Sequence, residues 1–165
     1  MLRRSRRSVG ALAVTIAVLA ALPTRDARAA EISVLLGGGS PGASWSTAWG
    51  GILTISLFNI VSGEIEGARQ GGAFSGTSLY TAAAKAYLAP SFGRLVPYAG
   101  IGAGLYHESL PQGSDQGTSG LVFVGVKLKF PVGLVLRGEY QWVDLPDAAP
   151  VPLDHRYFIA AGLSF

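Results

Sequence analysis

The chain has 165 residues, 49 % of them hydrophobic and 14 % charged, with a formal net charge of +3, a length that suits one domain. It contains no cysteine, which excludes a disulfide framework, a thiol nucleophile and a Cys-ligated zinc site. The positive balance sits in the first 29 residues, which hold six Arg and one Asp. Residues 30–165 therefore carry seven basic and nine acidic residues, net −2, and give no argument for nucleic-acid binding.

Residues 1–29 read as an export leader. Arg3, Arg4, Arg6 and Arg7 form a basic start, and residues 9–22 an apolar run too short to span a bilayer. Pro23 breaks that run, and Ala27-Arg28-Ala29 is a small-x-small cleavage site. Ser5-Arg6-Arg7 hints at a twin-arginine signal, a route that carries folded cargo. Residues 30–165 hold no run of 18 apolar residues, so no transmembrane helix is predicted.

The remainder alternates with a period of two between turn residues, which predicts strands with two unlike faces. Strand one covers 31–38, with Ile32, Val34 and Leu36 on one face, and a Gly/Ser/Pro loop comes next. Strand two, 48–58, places Trp49, Leu53, Ile55 and Leu57 opposite Thr54 and Ser56. A turn near Asn59 leads to strand three, 61–69, which Gly63 and Gly67 thin out and Glu64 and Glu66 dominate. Strand four, 78–88, sets Tyr80, Ala82, Ala84, Ala86 and Leu88 against Thr81, Ala83, Lys85 and Tyr87.

The turn 90–94 opens strand five, 96–107, where Ala99, Ile101, Ala103 and Leu105 oppose Tyr98, Gly100, Gly102, Gly104 and Tyr106. Pro97 belongs at its start, where a missing N–H is tolerated. A polar loop is expected over 108–119. Strand six, 121–130, alternates Val122, Val124, Val126, Leu128 and Phe130 with Phe123, Gly125, Lys127 and Lys129. After Pro131-Val132-Gly133, strand seven, 134–143, sets Leu136, Tyr140 and Trp142 against Arg137, Glu139 and Gln141. A proline-bearing loop, 144–154, precedes strand eight.

Strand eight ends the chain with Tyr157, Ile159, Ala161, Leu163 and Phe165 in one apolar row. That row resembles the closing strand of bacterial outer-membrane β-barrels, in which a terminal Phe belongs to the assembly signal. Tyr157, Ile159, Leu163 and Phe165 would carry that signal here. The segment 97–104 is similar to a strand recurrent in small outer-membrane barrels. The resemblance spans most of 31–165 and points to the OmpA, OmpX and opacity-protein families. It implies an all-β fold, an eight-stranded antiparallel up-and-down transmembrane β-barrel over 30–165, without a periplasmic domain. It also implies the outer membrane as location and lipopolysaccharide as neighbour. Periplasmic chaperones and the barrel-assembly machinery are the partners it implies during biogenesis.

Alternation alone also fits a soluble sandwich or lipocalin-like barrel with its apolar row inward. Three features favour apolar-outward. The other row is poor in water-loving residues, with Gly100, Gly102, Gly104 and Ala83 in it. Its charges nearly balance: Glu31, Glu64, Glu66 and Glu139 against Lys85, Lys127, Lys129, Arg137 and Arg156. The aromatics sort by height into two girdles. Trp45, Trp49, Tyr80, Tyr106, Trp142 and Tyr157 fall near one end, and Phe58, Phe92, Phe130 and Phe165 near the other. Eight strands leave an interior wide enough only for side chains, so the ionic row would plug the lumen with pairs. Centring the turn on Val132 puts Lys127 opposite Arg137, with Glu139 placed to neutralise both.

One stretch invites an enzymatic reading. His107-Glu108-Ser109 has the His-x-Ser spacing used by small outer-membrane lipid A deacylases, in which His serves as base and Ser as nucleophile. Leu110-Pro111 replaces that family's Asn-Ala, and no Glu follows at a comparable interval, so solvated loop polarity is the favoured reading. Asp144, Asp147 and Asp154, with Glu108 and Asp115, read as an acidic rim whose spacing matches no calcium loop. Gly37-Gly38-Gly39 offers no helix N-terminus to a phosphate, and His155 stands alone. No cofactor and no metal is predicted. The sequence reading is a barrel with a filled lumen and a structural or surface-contact role; a lipid A-modifying enzyme, a small pore and a soluble binding barrel are the alternatives.

Overall fold

The computed structural model describes residues 30–41, 46–57, 60–71, 77–111, 113–144 and 153–165. The leader, Trp45, Phe58, Asn59 and Asp147 lie outside these residues, as does the Asp154 side chain. Eight strands succeed one another: β1 (Ala30–Pro41), β2 (Ser46–Ser56), β3 (Val61–Gly71), β4 (Ser78–Leu88), β5 (Leu95–Leu110), β6 (Gly113–Lys129), β7 (Leu134–Asp144) and β8 (Leu153–Ser164). Each pairs antiparallel with its neighbour, and β8 pairs with β1, so the sheet is a closed barrel. Closure removes both edges, the one arrangement by which a sheet satisfies its backbone in hydrocarbon. The ends of the barrel chain are fastened to each other: Ala30 and Phe165 exchange N–H···O bonds of 2.9 Å in both directions.

Every strand has one face toward the lumen and one outward. Ile32, Val34, Leu36, Val122, Val124, Val126, Ile159 and Leu163 are exposed on the outer wall. Trp49, Tyr80, Trp142 and Tyr157 lie outward toward one end, and Phe92, Phe130 and Phe165 lie exposed at the other. At the Phe end the connections are tight. Gly133 (φ +80°) and Gly93 (φ +69°) adopt the left-handed backbone that turns of this kind require.

Three departures from the sequence reading have physical causes. The polar loop expected over 108–119 is instead a hairpin: β5 and β6 stay paired from Leu95 opposite Leu128 up to Leu110 opposite Gly113. Polar composition there marks a ribbon rising above the apolar belt, and local sequence cannot separate that from a loop. Gly117, read as a loop residue, faces Tyr106, and a Cβ there would run into the Tyr106 ring. Tyr106 itself, assigned to the outer girdle, points into the lumen and is 5 % exposed. It keeps the inward parity of Tyr98, which overrides its height along the strand. The same device recurs lower down, where Gly125 seats the Tyr98 ring and Gly37 the Phe158 ring.

Candidate functional site

The lumen's functional chemistry lies in its midsection, where inward positions of β3, β4, β7 and β8 meet. Glu64 and Glu66 sit two residues apart on β3 and so share a face, as do Arg137, Glu139 and Gln141 on β7. Lys85 reaches in from β4 between them. Its ammonium lies 3.0 Å from Glu64 Oε1 and 2.6 Å from Glu139 Oε1, and also pairs with Glu66. Arg137 approaches Glu64 with both terminal nitrogens, at 2.7 and 3.3 Å, and also pairs with Glu139. Its Nε donates to the Tyr98 oxygen at 3.0 Å, while the Tyr98 O–H donates to Glu139 Oε2 at 2.8 Å.

Gln141 Nε2 donates to Glu66 at 2.7 Å and to Glu139 at 2.6 Å. Thr54 Oγ1 donates to Glu64 at 3.2 Å. Arg156 extends from β8 to Glu66 at 3.4 Å and to Thr81 Oγ1, on β4, at 2.9 Å. Aromatic rings complete the shell: Lys85 Nζ is 4.7 Å from the Phe123 ring centroid and Arg137 5.0 Å from that of Tyr98.

A second, smaller group lies toward the Phe end. Lys127 Nζ is 2.8 Å from Glu31 Oε2 and donates to the Tyr87 oxygen at 2.9 Å. Lys127 and Arg137 are directly opposite across β6 and β7, as the turn at Val132 dictates. Glu139 does not serve both, however. It pairs with Arg137 and Lys85, and Lys127 finds its acid on β1. Two like charges in register are tolerable because each is drawn to a different wall. The two groups together bury four carboxylates (Glu31, Glu64, Glu66, Glu139) and four cations (Lys85, Lys127, Arg137, Arg156). Buried charge persists only when paired and hydrogen-bonded, and this set balances.

Lys129 stands apart from the pairs. It is exposed, at the Phe-end mouth, where a cavity of about 80 Å³ is also lined by Glu31, Ser62, Tyr87 and Lys127. Among the described residues, carboxylate oxygens of Glu64, Glu66 and Glu139 lie within 4.8 Å of one another, a donor set suited to a hard cation. Lys85 supplies the positive charge there from within the chain.

The residues of the enzymatic reading are placed differently. His107 faces outward, with its ring 6.5 Å from that of Tyr80. Ser109 lies two residues on, opposite Ser114 and Ser78. Glu108, between them, points to the lumen and is buried opposite Asp115. A carboxylate on the far side of the sheet cannot orient the His107 imidazole. Asp115 accepts a hydrogen bond of 3.0 Å from Tyr106. Sequence reasoning passed over Tyr98, Gln141, Thr54 and Thr81 as members of the network. Their parity on the inward row was the available signal.

No family model matches the chain, and no curated protein matches it in sequence. Solved structures do match in fold. Neisserial surface protein A (NspA) superposes with a TM-score of 0.61 at 14 % identity, over 82 % of this chain and 94 % of that one. The N-terminal β-barrel domain of OprF from Pseudomonas aeruginosa gives 0.61 at 16 % identity, over 83 % and 97 %. Ail, the attachment invasion locus protein of Yersinia pestis, gives 0.55 at 18 % identity, over 83 % and 98 %. The chain thus has the closed eight-stranded, all-antiparallel fold of outer-membrane barrels.

Proposed function

We propose that the protein is an integral outer-membrane barrel, exported by the leader 1–29 and anchored by 30–165. Its lumen is closed by its own side chains, and its role is structural or one of surface contact through the Trp-girdle end. The observation that carries this reading is the inversion of the two faces. Ile159 and Ile101 are 72 % and 66 % exposed, whereas Arg156 and Lys85 are 2 % and 4 % exposed. In water that distribution would expose a contiguous apolar wall and bury ions for no return; against acyl chains it is the favourable one. The names of two fold neighbours, a surface protein and an attachment invasion protein, support a role at the cell surface. Outer-membrane lipid and lipopolysaccharide are the lasting partners on this reading. The terminal row Tyr157, Ile159, Leu163 and Phe165 is what chaperones and the assembly machinery would engage during export.

The test is the electrophoretic mobility of outer-membrane fractions, boiled and unboiled. A closed barrel migrates differently in the two states; a single unshifted band would defeat the reading. In planar bilayers the purified protein should show no steady conductance, since Lys85, Arg137, Glu64 and Glu139 pair across the lumen. For the deacylase alternative, lipid A mass spectra are compared between strains carrying wild type and the His107→Ala, Ser109→Ala variant. On this reading the two spectra are identical.

A further inference from the structure

Four buried cations each have an acid partner: Lys85, Lys127, Arg137 and Arg156. Arg69 is different. It is exposed on the outer face of β3, and none of the ion pairs among the described residues includes it. Its guanidinium carbon lies 5.7 Å from the Tyr80 ring centroid, and Nη2 makes a long 3.4 Å contact to Ser78 Oγ. The register sets an oblique row of neighbours across four strands: Trp49 on β2 opposite Arg69, Arg69 opposite Tyr80, Tyr80 opposite His107. All four side chains are exposed on the outside of the barrel.

Trp49 and Tyr80 mark the interface where acyl chains give way to headgroups. A guanidinium set over an aromatic ring at that level, with no carboxylate paired to it among the described residues, presents donors to whatever anion the headgroup layer carries. The wall immediately below is low. Gly67, Ala82, Ala84 and Ala103 face outward beneath the row, where the opposite wall carries Val34, Leu36 and Ile159. Ala82 to Ala86 covers roughly 14 Å of tilted strand, about 10 Å of membrane depth.

We propose that this row is a binding site for the phosphate of an anionic lipid of the outer leaflet. Arg69 is the phosphate ligand, His107 a flanking donor, and one acyl chain lies against the small residues of β4. The inference rests on the membrane reading above and adds to it a fixed place for one lipid.

The experiment uses single-Trp protein (Trp45→Phe, Trp142→Phe), so that Trp49 alone reports. It is inserted into phosphatidylcholine vesicles containing phosphatidic acid, with dibrominated chains on one lipid or the other. Brominated phosphatidic acid quenches Trp49 with a relative binding constant about five-fold above that of brominated phosphatidylcholine, the effect of one cation near a charged surface. Arg69→Gln brings the ratio to one, and Arg69→Lys keeps part of it, since a point charge replaces a fork of donors. Equal constants in the single-Trp protein, or a ratio unmoved by Arg69→Gln, would overturn the site while leaving the membrane reading intact. Absence of quenching by either brominated lipid would overturn both.

Discussion

The lumen face and the outer face of the same eight strands obey opposite rules. Inside, space is short and the charged groups hold one another: Gln141 bridges Glu66 and Glu139, and Arg137 holds Glu64, Glu139 and Tyr98. Outside, Gly67 would admit a Cβ with nothing within 4 Å, and the aliphatic row of β6 simply stands exposed. A substitution therefore has a different meaning on each face. Inward, it is judged by charge partners and volume; outward, on the membrane reading, by its solubility in acyl chains.

The largest effect should come from Lys85→Met. It leaves Glu64, Glu66 and Glu139 with less positive charge than they need, and the loss of unfolding free energy in lipid vesicles should be about 3–5 kcal/mol. A loss below about 1 kcal/mol would mean that the network is not under electrostatic stress, against the argument from buried unpaired charge. Next is Val124→Arg, which puts a cation into the middle of the outer wall. In a bilayer it should cost about 2–4 kcal/mol. If instead the change is neutral in chemical denaturation, the outer wall faces water and the contrast between faces fails.

Two glycine substitutions sharpen the comparison by volume alone. Gly100 looks into the lumen, where a Cβ would meet the Ala86 carbonyl, the Tyr87 Cβ and the Phe123 ring. Gly100→Ala should therefore destabilise by about 1–3 kcal/mol. Gly67→Ala, on the outside, should be neutral or stabilising by up to about 0.5–1 kcal/mol. Parallel urea titrations of the two variants read the difference directly; equal effects would mean that the lumen is looser than the packing of Tyr87, Tyr98 and Phe123 implies.

The smallest effect concerns the hairpin that rises above the belt. Glu108 and Asp115 face each other there, two acids in register with no cation paired to either among the described residues. Glu108→Gln should stabilise by about 0.2–1 kcal/mol, the scale of a like-charge pair across strands. Destabilisation of that size or more would mean that the Glu108 carboxylate has a favourable role at the mouth.

Much of the architecture was legible locally. Period-two alternation separated the two faces of β4, β6, β7 and β8, because successive side chains on a strand must point opposite ways whatever surrounds them. Turn residues such as Gly133 and Gly93 marked the connections at the Phe end, because few other residues take a positive φ there. Parity also put Lys85, Arg137, Glu139 and Arg156 on one face before any partner was known. What the polar run 108–119 would do was not legible, since a polar two-stranded ribbon and a loop share one composition.

Partner choice belonged to the closed barrel alone. Arg137 and Glu64 are 73 residues apart, Lys127 and Glu31 96 apart, and both pairs meet across the lumen. The tilt and stagger of the strands decide which inward positions come level across the axis. Those are properties of all eight strands at once, and no single stretch of sequence contains them. The same holds for the Trp49, Arg69, Tyr80 and His107 row, whose members become neighbours only after three registers are set.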